Sequence, residues 1–143
     1  MVSESIVRKV ERFEEGIELL REIAGVSFKE YSKDMKLQSI AERNIQVCVE
    51  TIIDISNMII SKERMKVPST YRETIRILRE AGILKGNIGR KMEELVGIRN
   101  IIVHMYADIK DKIIHENLKE FVKTLKEVLR ILLKFCKRKG IDP

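Results

Sequence analysis

Within eight residues the chain carries an arginine, a carboxamide, a histidine and a phenol: Arg99, Asn100, His104 and Tyr106. Each type brings its own chemistry. A guanidinium grips phosphate oxygens through a bidentate fork, and an imidazole takes or gives a proton near neutral pH. A carboxamide four residues before a histidine is placed to orient the ring when both sit on a helix. At about 100° per residue the four side chains span roughly 160° of a helix circumference. Ile98, Ile101, Ile102 and Met105 fall on the opposite side, which is expected to face a core, and Val103 lies in the middle of the polar arc. An exposed valine there points to a contact with another chain. The set suits phosphodiester chemistry that needs no metal. Spacing alone leaves a plainer reading open, in which His104 caps a helix end and Arg99 and Tyr106 only pack on a surface.

These residues need a scaffold, and the apolar periodicity predicts one made of helices. From Ser3 to about Ala24, the positions Ile6, Val10, Phe13, Ile17, Leu20 and Ile23 recur at spacings of three and four, the stripe of an amphipathic helix. Gly25 stops it. Ser27-Phe28-Lys29-Glu30 has the form of a capping box, opening a short helix that ends near Asp34. Between about Lys36 and Glu63 a broad apolar face, including Leu37, Ile40, Ala41, Ile45, Cys48, Ile52, Ile55 and Ile59, predicts the spine of the fold. Thr70-Tyr71-Arg72-Glu73 is a second capping-box pattern, and its helix ends at Gly82. A fifth helix runs from about Ile88 into the polar segment, and a last one from about Asp111 to Lys137. The expected architecture is all-α, an antiparallel bundle of five or six helices forming a single domain over residues 1–143.

Composition agrees with that scaffold and narrows the partners. Of 143 residues 44% are hydrophobic and 5% aromatic, with 7 Gly and 2 Pro, which favours helices over a turn-rich β fold. The net charge of +6 fits a polyanionic partner, although solubility alone is an equally good reason for it. Cys48 and Cys136 are far apart with no metal-ligand spacing, so they are expected as reduced core residues, with no metal or cofactor. No apolar run approaches the roughly 18 residues of a membrane span, and the start of the chain does not read as a signal sequence. A cytoplasmic protein is expected.

The stretch Gly97-Ile98-Arg99-Asn100-Ile101-Ile102-Val103-His104-Met105-Tyr106 resembles the signature of the HEPN superfamily, in the Arg-Asn-x-x-x-His-x-Tyr form of HepT toxins. All four positions match. Ala41-Glu42-Arg43-Asn44-Ile45-Gln46, followed by Ile53-Asp54-Ile55, is similar to that family's long-helix pattern. The resemblance implies the ribonuclease toxin of a type VII HEPN/MNT toxin–antitoxin system. It implies a metal-independent endoribonuclease with Arg99 and His104 as its catalytic pair and Asn100 in support. It also implies a homodimer whose motifs face a shared cleft, and a minimal nucleotidyltransferase (MNT) antitoxin that transfers AMP to Tyr106. Such a site would cut RNA by attack of the 2′-hydroxyl, with one His104 as base and the partner's as acid. An alternative is a non-catalytic helical partner, or nucleotide-binding module, of the nucleotidyltransferase.

Elsewhere, His115 is expected as a surface or near-cap residue. For Glu42, Arg43 and Asp54 on the long helix, a buried pairing, such as Arg43 with Asp54 or with a neighbour, is the expectation, ahead of a role beside the cleft.

Overall fold

Caps and turn residues set the helix boundaries. The computed structural model describes residues 4–104 and 110–141, which form α1 (Glu4–Ala24), α2 (Phe28–Lys33), α3 (Met35–Lys62), α4 (Tyr71–Glu80), α5 (Asn87–His104) and α6 (Lys110–Lys139). Ser27 Oγ accepts from the Glu30 amide at 3.2 Å and opens α2. Asp34 ends α2 and caps α3, its carboxylate accepting from the amides of Lys36 and Leu37. Thr70 Oγ1 accepts from the Glu73 amide at 3.0 Å, while Glu73 reaches back to the amide of Ser69. Past α4 the chain turns through Gly82 at φ 76°, a conformation that disfavours residues with a Cβ.

The third helix is the spine: it packs against each of the other five. Its seam of Ala41, Ile45, Cys48, Ile52, Ile55 and Ile59 is fully buried. Ile40, expected on that face, is 38% exposed, because it stands roughly a quarter turn off the seam. Antiparallel packing of α1 on α3 follows from the pairing of Lys9 with Asp54 and of the Phe13 carbonyl with Cys48 Sγ. α4 and α5 are antiparallel in the same way, with Arg76 and Arg79 on Glu93 and Arg72 close beside Gly97. One apolar cluster draws residues from all six helices. Both cysteines are free and buried, and burial pushes the Cys48 thiol up to about 12. Among the described residues, no helix is long and apolar enough to cross a membrane.

Two local expectations are corrected. Asp54 does not pair with Arg43; it forms an exposed salt bridge to Lys9 at 2.8 Å, because its turn of α3 faces α1. His115 is no surface cap. Its Nε2 lies 2.6 Å from the Val26 carbonyl oxygen, which can only accept, so that nitrogen carries the proton. The ring packs on Tyr31 and Phe28, with centroids 5.0 and 5.7 Å away, and ties α6 to the start of α2.

Candidate functional site

The last two turns of α5 carry Arg99, Asn100 and His104, and α3 and α4 supply what holds the arginine. Glu50 of α3 accepts from Arg99 Nε at 3.1 Å and from Nη2 at 2.8 Å, both on Oε2. Gln46, one turn earlier on α3, donates to the same oxygen at 3.2 Å. Tyr71, the first residue of α4, lies under the guanidinium, 4.6 Å from carbon to ring centroid. The arginine side chain is only 17% exposed. Its charge is therefore held in a fixed orientation by a carboxylate on one edge and a π face beneath.

Asn100 joins this arrangement through its amide oxygen, which accepts from Arg99 Nη1 at 3.1 Å. Of the five guanidinium N–H donors, three are thus engaged by Glu50 and Asn100, and the other two have no acceptor among the described residues. His104 is exposed at the C-terminal end of α5, about 7.5 Å along the axis from Arg99. Met105 and Tyr106 lie outside the described residues. Val103 is 38% exposed, in keeping with its place on the polar arc.

The apolar side of the segment is less buried than its spacing predicts. Ile102 is buried, but Ile98 and Ile101 are half-buried and line a groove of about 500 Å³ with Asn100, Arg72, Arg90 and Glu94. The cause is the length of α4. It runs antiparallel to α5 and starts at Tyr71, with Arg72 beside Gly97, so α4 stops short of the final turn that carries Ile101 to His104. Among the described residues no group of three or more His, Cys, Asp and Glu is placed to hold a metal ion.

Sequence reasoning missed Glu50 and Tyr71. Gln46 stood in the long-helix pattern, and the carboxylate it bonds is Glu50, at i+4, which that pattern did not include. The i, i+4 pairing of Gln46 and Glu50 on a helix that must be mostly buried was the available signal.

A family model for HepT-like ribonucleases matches residues 13–132. The chain belongs to the HepT-like ribonuclease family. Among HepT proteins, the mRNA nuclease HepT of Shewanella oneidensis is 24% identical over 132 residues, covering 87% of this chain and 98% of the relative. The tRNA nuclease HepT of Aphanizomenon flos-aquae is 30% identical over 90 residues, covering 63% and 61%. The HEPN helical fold is seen in the solved structure of a tri-AMPylated Shewanella oneidensis HEPN toxin in complex with its MNT antitoxin. That structure superimposes with a TM-score of 0.83 at 21% identity, over 93% of this chain and 99% of the toxin. A cytosolic protein of unknown function from Bacillus subtilis, YutE, has the same fold at a TM-score of 0.79 and 17% identity, over 99% and 96% of the two chains.

Proposed function

We propose that this HepT-like chain is the toxin of a HEPN/MNT toxin–antitoxin pair and cuts RNA at a site made of Arg99 and His104 from two copies of the chain. The observation that carries the reading is the anchored guanidinium. Glu50, Gln46 and Tyr71 fix Arg99 before any substrate arrives, and among the described residues two of its N–H groups have no acceptor, which is the preorganisation an anionic transition state rewards. In the reaction the ribose 2′-oxygen bonds to phosphorus and the bond from phosphorus to the 5′-oxygen breaks. One His104 takes the 2′-hydroxyl proton and the other delivers a proton to the leaving 5′-oxygen. The products are a 2′,3′-cyclic phosphate and a 5′-hydroxyl.

A dimer supplies the second histidine, and the incompletely covered Ile98, Ile101 and Val103 beside the motif give it an apolar surface to bury. The Shewanella toxin is AMPylated in its complex with an MNT antitoxin. By position in the motif, Tyr106 is the acceptor of AMP in this chain, and an AMP phosphate there would compete with RNA for Arg99.

A second reading draws on the same salt bridge: an arginine already neutralised by Glu50 also suits a non-catalytic helical partner of the nucleotidyltransferase. The deciding experiment incubates the purified chain with RNA, and with DNA of the same sequence, in EDTA. Cleavage of RNA alone, with cyclic-phosphate ends and lost in His104→Ala, supports the ribonuclease. No cleavage, together with AMP on the wild-type chain but not on Tyr106→Phe after co-expression with the nucleotidyltransferase, supports the partner reading.

A further inference from the structure

We propose that the outer face of α6 is a binding track for the phosphate backbone of single-stranded RNA, distinct from the Arg99–His104 site. The inference rests on the reading of this chain as a protein that acts on RNA, and it names where the strand outside the cleft is held. Lys119, Lys123, Lys126, Arg130, Lys134 and Arg138 follow one another at steps of three or four residues, and all six are exposed. On a helix this spacing makes one stripe about 28 Å long with a cation every ~6 Å, near the phosphate repeat of an extended polynucleotide.

The stripe borders two grooves that meet at Arg130. One, of about 650 Å³, lies between α6 and the start of α5; the other, of about 370 Å³, lies between α6 and the α4–α5 turn. Together their linings hold nine lysines and arginines and two glutamates; Arg21 is paired with Glu18 at 2.6 Å beside them, which leaves an excess of six positive charges. The whole chain has an excess of six. The protein's net positive charge is therefore concentrated on this one face, while the rest of the molecule is close to neutral.

Both glutamates are already committed. Glu120 accepts from Lys91 at 2.7 Å, and Glu127 is paired with Arg130 one turn along α6. Among the described residues, Lys119, Lys123, Lys126 and Lys134 form no salt bridge, although the charge of Lys123 also acts on Glu120, so a polyanion would not have to break one. The large exposed hydrophobic residues of the chain all lie outside α6, which disfavours a membrane surface as the occupant. Helix α6 starts six residues after His104, and Lys119 stands about 14 Å along it, within reach of an oligonucleotide that enters the site.

The test compares wild type with a fourfold variant, Lys119→Gln, Lys123→Gln, Lys126→Gln and Lys134→Gln. A control of equal charge carries Lys29→Gln, Lys33→Gln, Lys36→Gln and Lys62→Gln, four exposed lysines outside the α6 stripe and its two grooves. Fluorescence anisotropy measures binding of a 20-nucleotide single-stranded RNA with 2′-O-methyl groups throughout, which the proposed reaction cannot cut. Circular dichroism checks the fold, and the pairs Lys119→Gln/Lys123→Gln and Lys126→Gln/Lys134→Gln serve as milder variants. The α6 variant should bind at least about tenfold more weakly than the control, and its log–log salt slope should be shallower by about 3, at ~0.7 per lost phosphate contact. Each pair should lose about half of that slope. Equal weakening in the control overturns the track in favour of net charge alone. Unchanged RNA binding with loss of the nucleotidyltransferase partner overturns it in favour of a protein interface. Because the readout is binding, failure of the function is distinguishable: a wild type that binds through α6 but never cuts RNA keeps the track and loses the ribonuclease.

Discussion

Arg99 and His104 share a motif but stand in opposite physical situations, and their variants should separate accordingly. His104 is exposed at a helix end, so His104→Ala should remove cleavage while leaving the helical content by circular dichroism unchanged. Arg99 is mostly buried against Glu50 and Tyr71, and the position of its side chain off the apolar stripe does not make it dispensable to the fold. Arg99→Ala leaves the half-buried Glu50 with Gln46 but without its cationic partner, and should cost about 1–3 kcal/mol in urea unfolding as well as abolish cleavage. Glu50→Gln tests positioning apart from chemistry. It keeps the shape but weakens the anchor, so kcat for RNA cleavage should fall several-fold while helical content stays unchanged. Wild-type kcat in Glu50→Gln would show that the guanidinium is held without the carboxylate. None of this was legible in the motif itself, because Glu50 and Arg99 are 49 residues apart and a spacing rule sees one helix at a time.

Between elements, the junction of α4 with α5 fixes where the motif helix lies, and a charged cluster holds it. Glu93 is 12% exposed and accepts from Arg76 Nε at 2.7 Å and Arg79 Nη1 at 2.6 Å. Burial pushes its carboxyl upward, but the hydrogen bonds and charges of the two arginines outweigh that and leave it below the usual 4.5. A carboxylate lowered on folding contributes stability that is complete above its unfolded pKa and is lost as pH falls through the native one. Glu93→Gln should therefore melt below wild type at pH 7, and the gap should close as the pH is taken below about 4.5 in thermal melts. A constant gap down to pH 3 would count against it.

Two glycines on the same face of α5 test the packing. A Cβ at Gly89 would meet the Leu84 carbonyl oxygen at 2.8 Å as well as the Arg79 stem, and backbone cannot yield, so Gly89→Ala should destabilise by about 1–3 kcal/mol. At Gly97 the obstacle is the tip of Arg72, which can swing away, and the gain in helix propensity should make Gly97→Ala neutral or stabilising by up to about 1 kcal/mol. Element types and ends were legible because caps such as Ser27 and Thr70 act within four residues. The exposure of Ile98 and Ile101 was not: periodicity gives the faces of α5, whereas the short reach of α4 decides which face is covered. His115 was misread for a related reason, since its acceptor, Val26, is 89 residues away.

For the whole molecule, one question remains for α5: what lies over the edge that α4 leaves open. Ile98 and Ile101 line the open groove with Asn100, and the exposed Val103 stands on the adjacent turn, so three β-branched residues border the polar residues of the proposed site. A second copy would shield these side chains from water and bring its own His104 to the first, whereas a face left in solvent would keep both the apolar exposure and a single histidine. The two consequences are coupled, and a substitution that blocks association without touching Arg99 or His104 should separate them from folding. Val103→Glu adds a charge to a side chain already 38% exposed, so the monomer should fold. Two such charges facing each other across a symmetric interface should repel. Light scattering at micromolar concentration should give about twice the 16.7 kDa chain mass for wild type and a single chain mass for Val103→Glu. RNA cleavage per chain should fall at least about tenfold in the variant, the scale expected when a positioned general acid or base is removed. It should recover when the variant is mixed with Val103→Lys, which restores opposite charges across the interface. A wild type that scatters as a monomer and still cuts RNA would end the two-histidine mechanism, since the single His104 would then have to serve both proton transfers or share them with another group.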